Sequence, residues 1–210
     1  MSSTEQRFYW LLLGSSLAGI GITYFPGLWG QPASFWLSKL IATLSYFTIL
    51  SNLAVTILAV SQLFFNQQDW ALKLSHVKVQ TAIAVYITIT GLVYNLLLAD
   101  TWEPQGIDIL GDNLLHRVTP LLYVSFWFIS VRGKPMNLAQ TLPMLLFPVL
   151  YLVYWLIRGP VVGSYPYFFL DVGSFGYAQV LTNSVLLWFG FWLVACVYWA
   201  INRFTTPLYV

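Results

Sequence analysis

The sequence predicts an all-α, polytopic integral membrane protein, a bundle of about six transmembrane helices. Three observations predict it. Of 210 residues, 59% are hydrophobic and only 8% are charged, whereas soluble domains carry about 25% charged residues. So few ionic groups cannot cover a water-facing surface. The apolar residues also fall in long continuous runs, near the roughly 20 residues that a spanning helix needs. The short alternating segments of a membrane β-barrel are missing from the sequence.

Six runs carry this pattern: Phe8–Phe25, Lys39–Phe65, Val77–Ala99, Asn113–Val131, Ala139–Ile157 and Tyr177–Ile201. Their connectors are short and no linker divides them, so residues 1–210 read as one transmembrane domain. The first run reads as a retained helix and not a signal peptide, because Glu5 balances Arg7 and no small-residue cleavage motif follows. Its Gly14, Ala18 and Gly21, with Ser15 and Gly19 beside them, suit a face of close helix packing. In the second run Thr48, Ser51, Asn52 and Thr56 recur at helical spacing and form one polar stripe. Thr48 lies roughly 13 Å in from Lys39 at the helical rise. The third run contains Asn95 and the last contains Asn183 and the lone Cys196, which is read as a packing residue. Pro120, Pro143 and Pro148 each remove a backbone donor and bend their helices.

Lys and Arg set the orientation. Arg7, Lys73, Lys78, Arg132, Lys134 and Arg203 fall on one side of a six-span arrangement, and Lys39 and Arg158 on the other. Both termini are therefore expected in the cytoplasm. The 100–112 connector is then external, with Asp100, Glu103, Asp108 and Asp112 but no base.

Several chemistries are excluded. A net charge of +2 from scattered bases gives no nucleic-acid-binding stripe. There is no Gly-rich phosphate loop and no HExxH. With His76, His116 and Cys196 as the only His and Cys residues, no metal and no cofactor are expected. The expected partners are membrane lipids.

Polar groups inside membrane helices are costly, so each raises a functional question. His116 is the sharpest. It lies near the start of the fourth run with Asp112 four residues earlier, close enough on a helix to orient one ring nitrogen and leave the other as a base. An interfacial His bonded to water or to a carbonyl is the plainer alternative. Thr48 enters from the same side and becomes a nucleophile only if a base takes its proton. Its plainer alternative is a hydrogen bond to the carbonyl four residues back. Asn52, Asn95 and Asn183 are either oxyanion donors or interhelical hydrogen-bonders. Arg117 suits a carboxylate or phosphate group. The aromatic, proline-punctuated segment from Arg158 to Asp171 reads as a lid or an interfacial anchor.

Three segments share an arrangement with a known family. Tyr46-Phe47-Thr48-Ile49-Leu50-Ser51-Asn52-Leu53, Leu115-His116-Arg117-Val118-Thr119-Pro120-Leu121, and Tyr165-Pro166 followed by Leu170-Asp171 resemble, in this order, segments of the androgen-induced gene family, bacterial branch. That family comprises six-helix membrane hydrolases of fatty acid esters of hydroxy fatty acids. The resemblance implies a Thr nucleophile at Thr48 and a His base at His116. Asp112, Ser51, Asn52, Asn95, Arg117, Tyr165, Asp171 and Asn183 are then supporting or substrate-binding candidates. It also implies a lipid ester or fatty acid substrate and residence in a bacterial inner membrane. Eukaryotic members carry further polar and His residues around the catalytic His, which this chain lacks. A non-catalytic lipid or small-molecule binder or transporter would use the same polar pocket.

Overall fold

A computed structural model describes residues 1–205, and those residues are all helix, turn and coil with no strand. Helix α1 spans Ser3–Tyr24 and opens with a reciprocal capping box between Ser2 and Glu5. Helices α2 (Ala33–Thr43), α3 (Phe47–Phe64) and the short α4 (Asp69–Leu74) follow. Four long helices complete the bundle: α5 (Val77–Thr101), α6 (Asp108–Val131), α7 (Leu138–Val162) and α8 (Val172–Thr205), the last broken by a kink at Gly176 (φ 71°, ψ 161°) that sets its first turn apart from the long span.

Five helices, α3 and α5 to α8, are long and apolar enough to cross a membrane. On α7, Leu142, Leu146, Leu150, Val153, Ile157 and Val161 all face outward. An exposed apolar stripe of that length is a lipid-facing surface. The chain is an integral membrane protein. The sixth expected span, Phe8–Phe25, is the 22-residue α1. It has the length to cross but is less apolar, because Ser15, Ser16 and Gly19 form its buried face together with Leu12.

That face corrects the expected packing of α1. Gly14 and Ala18 point outward, and a Cβ on Gly14 would touch nothing within 4 Å. A Cβ on Gly19 would instead lie 2.7 Å from the Leu115 side chain. The Ser16 and Thr56 hydroxyls share a hydrogen bond of 2.8 Å, and Thr119 donates to Ser15 Oγ at 3.0 Å. These contacts lock α1 against α3 and α6.

The expected continuous run Lys39–Phe65 is also corrected. It breaks at Leu44 to Tyr46, with Tyr46 extended (φ −90°, ψ 133°). The cause lies on α7. The Ser45 carbonyl accepts hydrogen bonds from the Tyr151 hydroxyl at 3.0 Å and from Trp155 Nε1 at 2.9 Å. The Phe47 amide donates to the Tyr151 oxygen at 3.1 Å. Groups that would continue the helical ladder are held sideways instead, so α3 restarts at Phe47 and Thr48 sits in its first turn. The estimate of depth from Lys39 fails with the break, since α2 and α3 are separate helices.

One end of the bundle carries the N-terminus, α4, the 132–137 connector and the end of α8. The Gly133 amide donates to Asn202 Oδ1 there at 2.8 Å. The opposite end carries α2, the 102–107 connector and the 163–171 segment, and it holds the site.

Candidate active site

His116 is built into a wide turn. Residues Leu114–Val118 are π-helical, and so are Tyr94–Leu98 on the facing helix. Single π turns of this kind recur at functional sites. Pro120 supplies the local cause. It has no N–H, and it follows His116 by four residues and Leu115 by five, so neither carbonyl finds its helical donor at that position. Asn95 Nδ2 donates to the His116 carbonyl at 3.3 Å, and Asn52 Nδ2 donates to the Leu115 carbonyl at 3.2 Å. The second hydrogens of these amides go to Gly91 O at 2.8 Å and Thr48 O at 2.9 Å. Buried Asn52 and exposed Asn95 thus clamp the bulged helix from both sides, and their donors are fully used. The oxyanion role expected for Asn52 or Asn95 does not fit this geometry.

The side chain of His116 joins Thr48 to Asp112. His116 Nε2 lies 3.3 Å from Thr48 Oγ1. Nδ1 lies 3.1 Å from Asp112 Oδ1 and 3.1 Å from the Asp112 carbonyl. Two acceptors at Nδ1 place the ring proton there, which leaves the Nε2 lone pair for the threonine hydroxyl. Asp112 is only 7% exposed. Its carboxylate also accepts from Trp102 Nε1 at 3.3 Å and from Arg117 Nη1 at 3.3 Å. Arg117 is itself held by Asn95 Oδ1 at 2.9 Å and Asn113 Oδ1 at 2.8 Å. Its position is that of a counter-ion to Asp112, where a substrate-binding cation was expected.

Thr48 is free to meet His116 because of the break before α3. Ser51 and Thr56 bond back to the carbonyls of Phe47 and Asn52, as hydroxyls in membrane helices commonly do. Thr48 has no helical turn behind it, since α3 begins one residue earlier. Its hydroxyl turns to the imidazole instead.

Two cavities meet at Thr48. The more polar one, of about 520 Å³, is lined by Lys39, Tyr46, Trp102, Asp108, Asp112 and His116 among apolar neighbours. A narrower apolar one of about 90 Å³ runs between α3, α5, α7 and α8 past Phe47, Ile89, Val93, Leu152, Leu187 and Phe191. Thr48, Tyr94, Leu98 and Tyr167 line both.

The remaining expected residues stand outside the cavities. Ser51 is fully buried and bonded to its own helix. Tyr165 packs on α7, so closely that a Cβ on Gly159 would lie 2.0 Å from its ring. Asp171 caps α8, accepting from the Ser174 hydroxyl at 2.6 Å and its amide at 3.2 Å. Asn183 Nδ2 donates to the Phe169 carbonyl at 3.1 Å. These last three position the 163–171 segment and do not touch the dyad.

Sequence reasoning missed Tyr94, Tyr167, Trp102 and Lys39 as site residues. Tyr94 stacks on His116 with ring centroids 3.6 Å apart. The Thr48 amide donates to the Tyr167 hydroxyl at 3.4 Å. Lys39 lines the polar cavity and donates to the Pro26 carbonyl. The one signal available for Tyr167 was its place two residues after Tyr165 in the aromatic segment. Among the described residues, no group of three or more His, Cys, Asp or Glu could hold a metal ion. Compared with known protein families, curated proteins and solved structures, the chain matches none.

Proposed function

We propose that the protein is an intramembrane threonine hydrolase that cleaves lipid esters. One observation carries the reading: Thr48 Oγ1, the His116 ring and the Asp112 carboxylate form a continuous hydrogen-bonded chain at the meeting point of a polar and an apolar cavity. The order nucleophile, base, orienting acid is the arrangement that activates a hydroxyl. The resemblance to the androgen-induced gene family points to the same Thr and His.

Thr48 Oγ attacks the ester carbonyl as His116 Nε2 takes its proton. The carboxylate of Asp112 holds the ring and stabilises the imidazolium. His116 then protonates the departing alkoxide, leaving an acyl-threonine. Water, deprotonated by the same nitrogen, releases the acid and restores Thr48. The narrow apolar cavity suits the first few carbons of an acyl chain and the wider, more polar one the alcohol portion. By the distribution of Lys and Arg, both termini are cytoplasmic and the site opens toward the outer side; the resemblance to the bacterial branch of the androgen-induced gene family implies a bacterial cytoplasmic membrane.

The test is covalent labelling of the full chain in lipid nanodiscs with a long-chain fluorophosphonate. Mass spectrometry should place the adduct on Thr48, and Thr48→Ala and His116→Ala should abolish both labelling and ester hydrolysis. Absence of an adduct, with fatty acid still bound, would instead favour a non-catalytic lipid or small-molecule binder.

A further inference from the structure

The chain from Thr48 through His116 to Asp112 lacks one component that acyl transfer requires, a donor for the negative charge that develops on the carbonyl oxygen. The obvious donors near Thr48 are engaged. Asn52 and Asn95 spend both amide hydrogens on carbonyls. Arg117 is tied to Asn95, Asp112 and Asn113. Tyr151 donates to the Ser45 carbonyl. Tyr167 is differently placed. Its oxygen accepts from the amide of the nucleophile itself at 3.4 Å, and it lines both cavities where they meet.

We propose that the Tyr167 hydroxyl is the oxyanion donor of the reaction. This rests on the hydrolase reading of Thr48 and His116. When Thr48 Oγ forms its bond to the ester carbon and its proton passes to His116 Nε2, the carbonyl π pair moves onto oxygen. The Tyr167 O–H donates a hydrogen bond to that oxygen. The pair returns when the carbon–alkoxide bond breaks and the alkoxide takes the proton from His116.

Four features support the assignment. The ring of Tyr167 is fixed by stacking on Phe169, with centroids 5.3 Å apart and planes 17° from parallel, and by an edge contact with Tyr46 at 6.3 Å. The Thr48 amide pins the hydroxyl oxygen, so the donor is oriented before the substrate arrives. Burial holds the Tyr167 phenol above its ordinary pKa, which keeps the proton available for donation at neutral pH. Thr48 also lies in the first turn of α3, where the helix dipole favours negative charge.

The test compares Tyr167→Phe with the parent in nanodiscs, using a long-chain fatty ester as substrate. The expected result is a fall in kcat of about 10²- to 10³-fold, the usual effect of removing one oxyanion donor, with KM unchanged. Affinity for an alkyl boronic acid, which forms a tetrahedral anionic adduct on Thr48, should fall in parallel, while affinity for the product fatty acid should not change. A merely structural role would weaken product binding as well. Parental kcat in Tyr167→Phe, with Thr48→Ala and His116→Ala inactive, overturns the assignment and leaves the hydrolase reading standing. Activity surviving in Thr48→Ala removes the hydrolase reading itself, and this inference with it. Should Tyr167→Phe not fold, a fluorotyrosine at position 167 keeps the hydroxyl and lowers its pKa. The alkaline limb of kcat should then move to lower pH, and an unmoved limb overturns the proposal.

Discussion

Tyr94 lies flat on the His116 imidazole, its plane 10° from parallel and its centroid 3.6 Å away. The hydrogen bonds of an imidazole lie in its ring plane. His116 must reach Thr48 with one nitrogen and Asp112 with the other, so a single ring torsion serves both partners. The Tyr94 face holds that torsion, and Arg117 lies over the same ring at 5.4 Å. Replacing Tyr94 by Leu keeps apolar volume but removes the flat face. Hydrolysis and fluorophosphonate labelling should both slow by about 10- to 100-fold, the range expected when a reacting group is misplaced by an ångström or less. Tyr94→Phe keeps the stack and should stay close to parental rates. Equal losses in both variants would show that the phenol oxygen matters and the stack does not.

Pro120 makes the His116 turn possible by withholding a backbone donor, and Asn52 and Asn95 compensate. Restoring that donor with Pro120→Ala lets the helix close toward ordinary geometry. An interior proline costs a helix about 3 kcal/mol, so the variant should be at least as stable as the parent by thermal unfolding in detergent. Its activity should nevertheless fall, because removing the bulge turns His116 away from Thr48. A variant both more stable and fully active would mean that Asn52 and Asn95 alone set the turn.

The same residues show what the sequence made legible. The long apolar runs announce the bundle, because lipid forces an unbroken hydrophobic signal on each span. His116 and Asp112, four apart on one helix, declare their contact locally. The break before Thr48 could not be read, because Tyr151 and Trp155 create it from more than a hundred residues away. Asn52 and Asn95 were visible as amides within apolar runs, and Pro120 was visible four residues after His116. Their link was hidden, since it needed the three helices side by side. Tyr94 and Tyr167 were lost among 13 tyrosines, where only packing separates an anchor from a site residue.

Tyr165, packed closely on α7, is one of the anchors that hold the 163–171 segment at the site. A methyl group added at Gly159 would sit 2.0 Å from Tyr165 Cε1 and 2.3 Å from Cζ. The ring cannot retain its place. Gly159→Ala should cost about 1–3 kcal/mol, typical of overpacking, and should lower activity through Tyr167, two residues further along. Gly159→Ala combined with Tyr165→Ala relieves the clash. The double variant should be more stable than Gly159→Ala alone, whereas additive losses would argue that the ring was not the obstacle.

The other anchor of that segment depends on pH. The Ser174 hydroxyl holds the Asp171 carboxyl below the ordinary carboxylate range, and the Ser174 and Gly173 amides add to the effect against an opposing burial cost. Capping by an ionised Asp satisfies amides that the first turn of α8 leaves open. A carboxyl whose pKa is lower folded than unfolded stabilises the fold fully above its unfolded value, about 3.9. That contribution is lost as pH falls through the folded value. Exchange at the Ser174 amide, normalised to its intrinsic rate, should therefore be protected at neutral pH and lose protection only below about pH 4. Asp171→Asn retains a capping oxygen without a titrating proton, so its protection should show no acid limb. An acid limb of equal size in Asp171→Asn would assign the titration to another group, and the start of α8 would then owe its order to Asn183 and the Phe169 carbonyl.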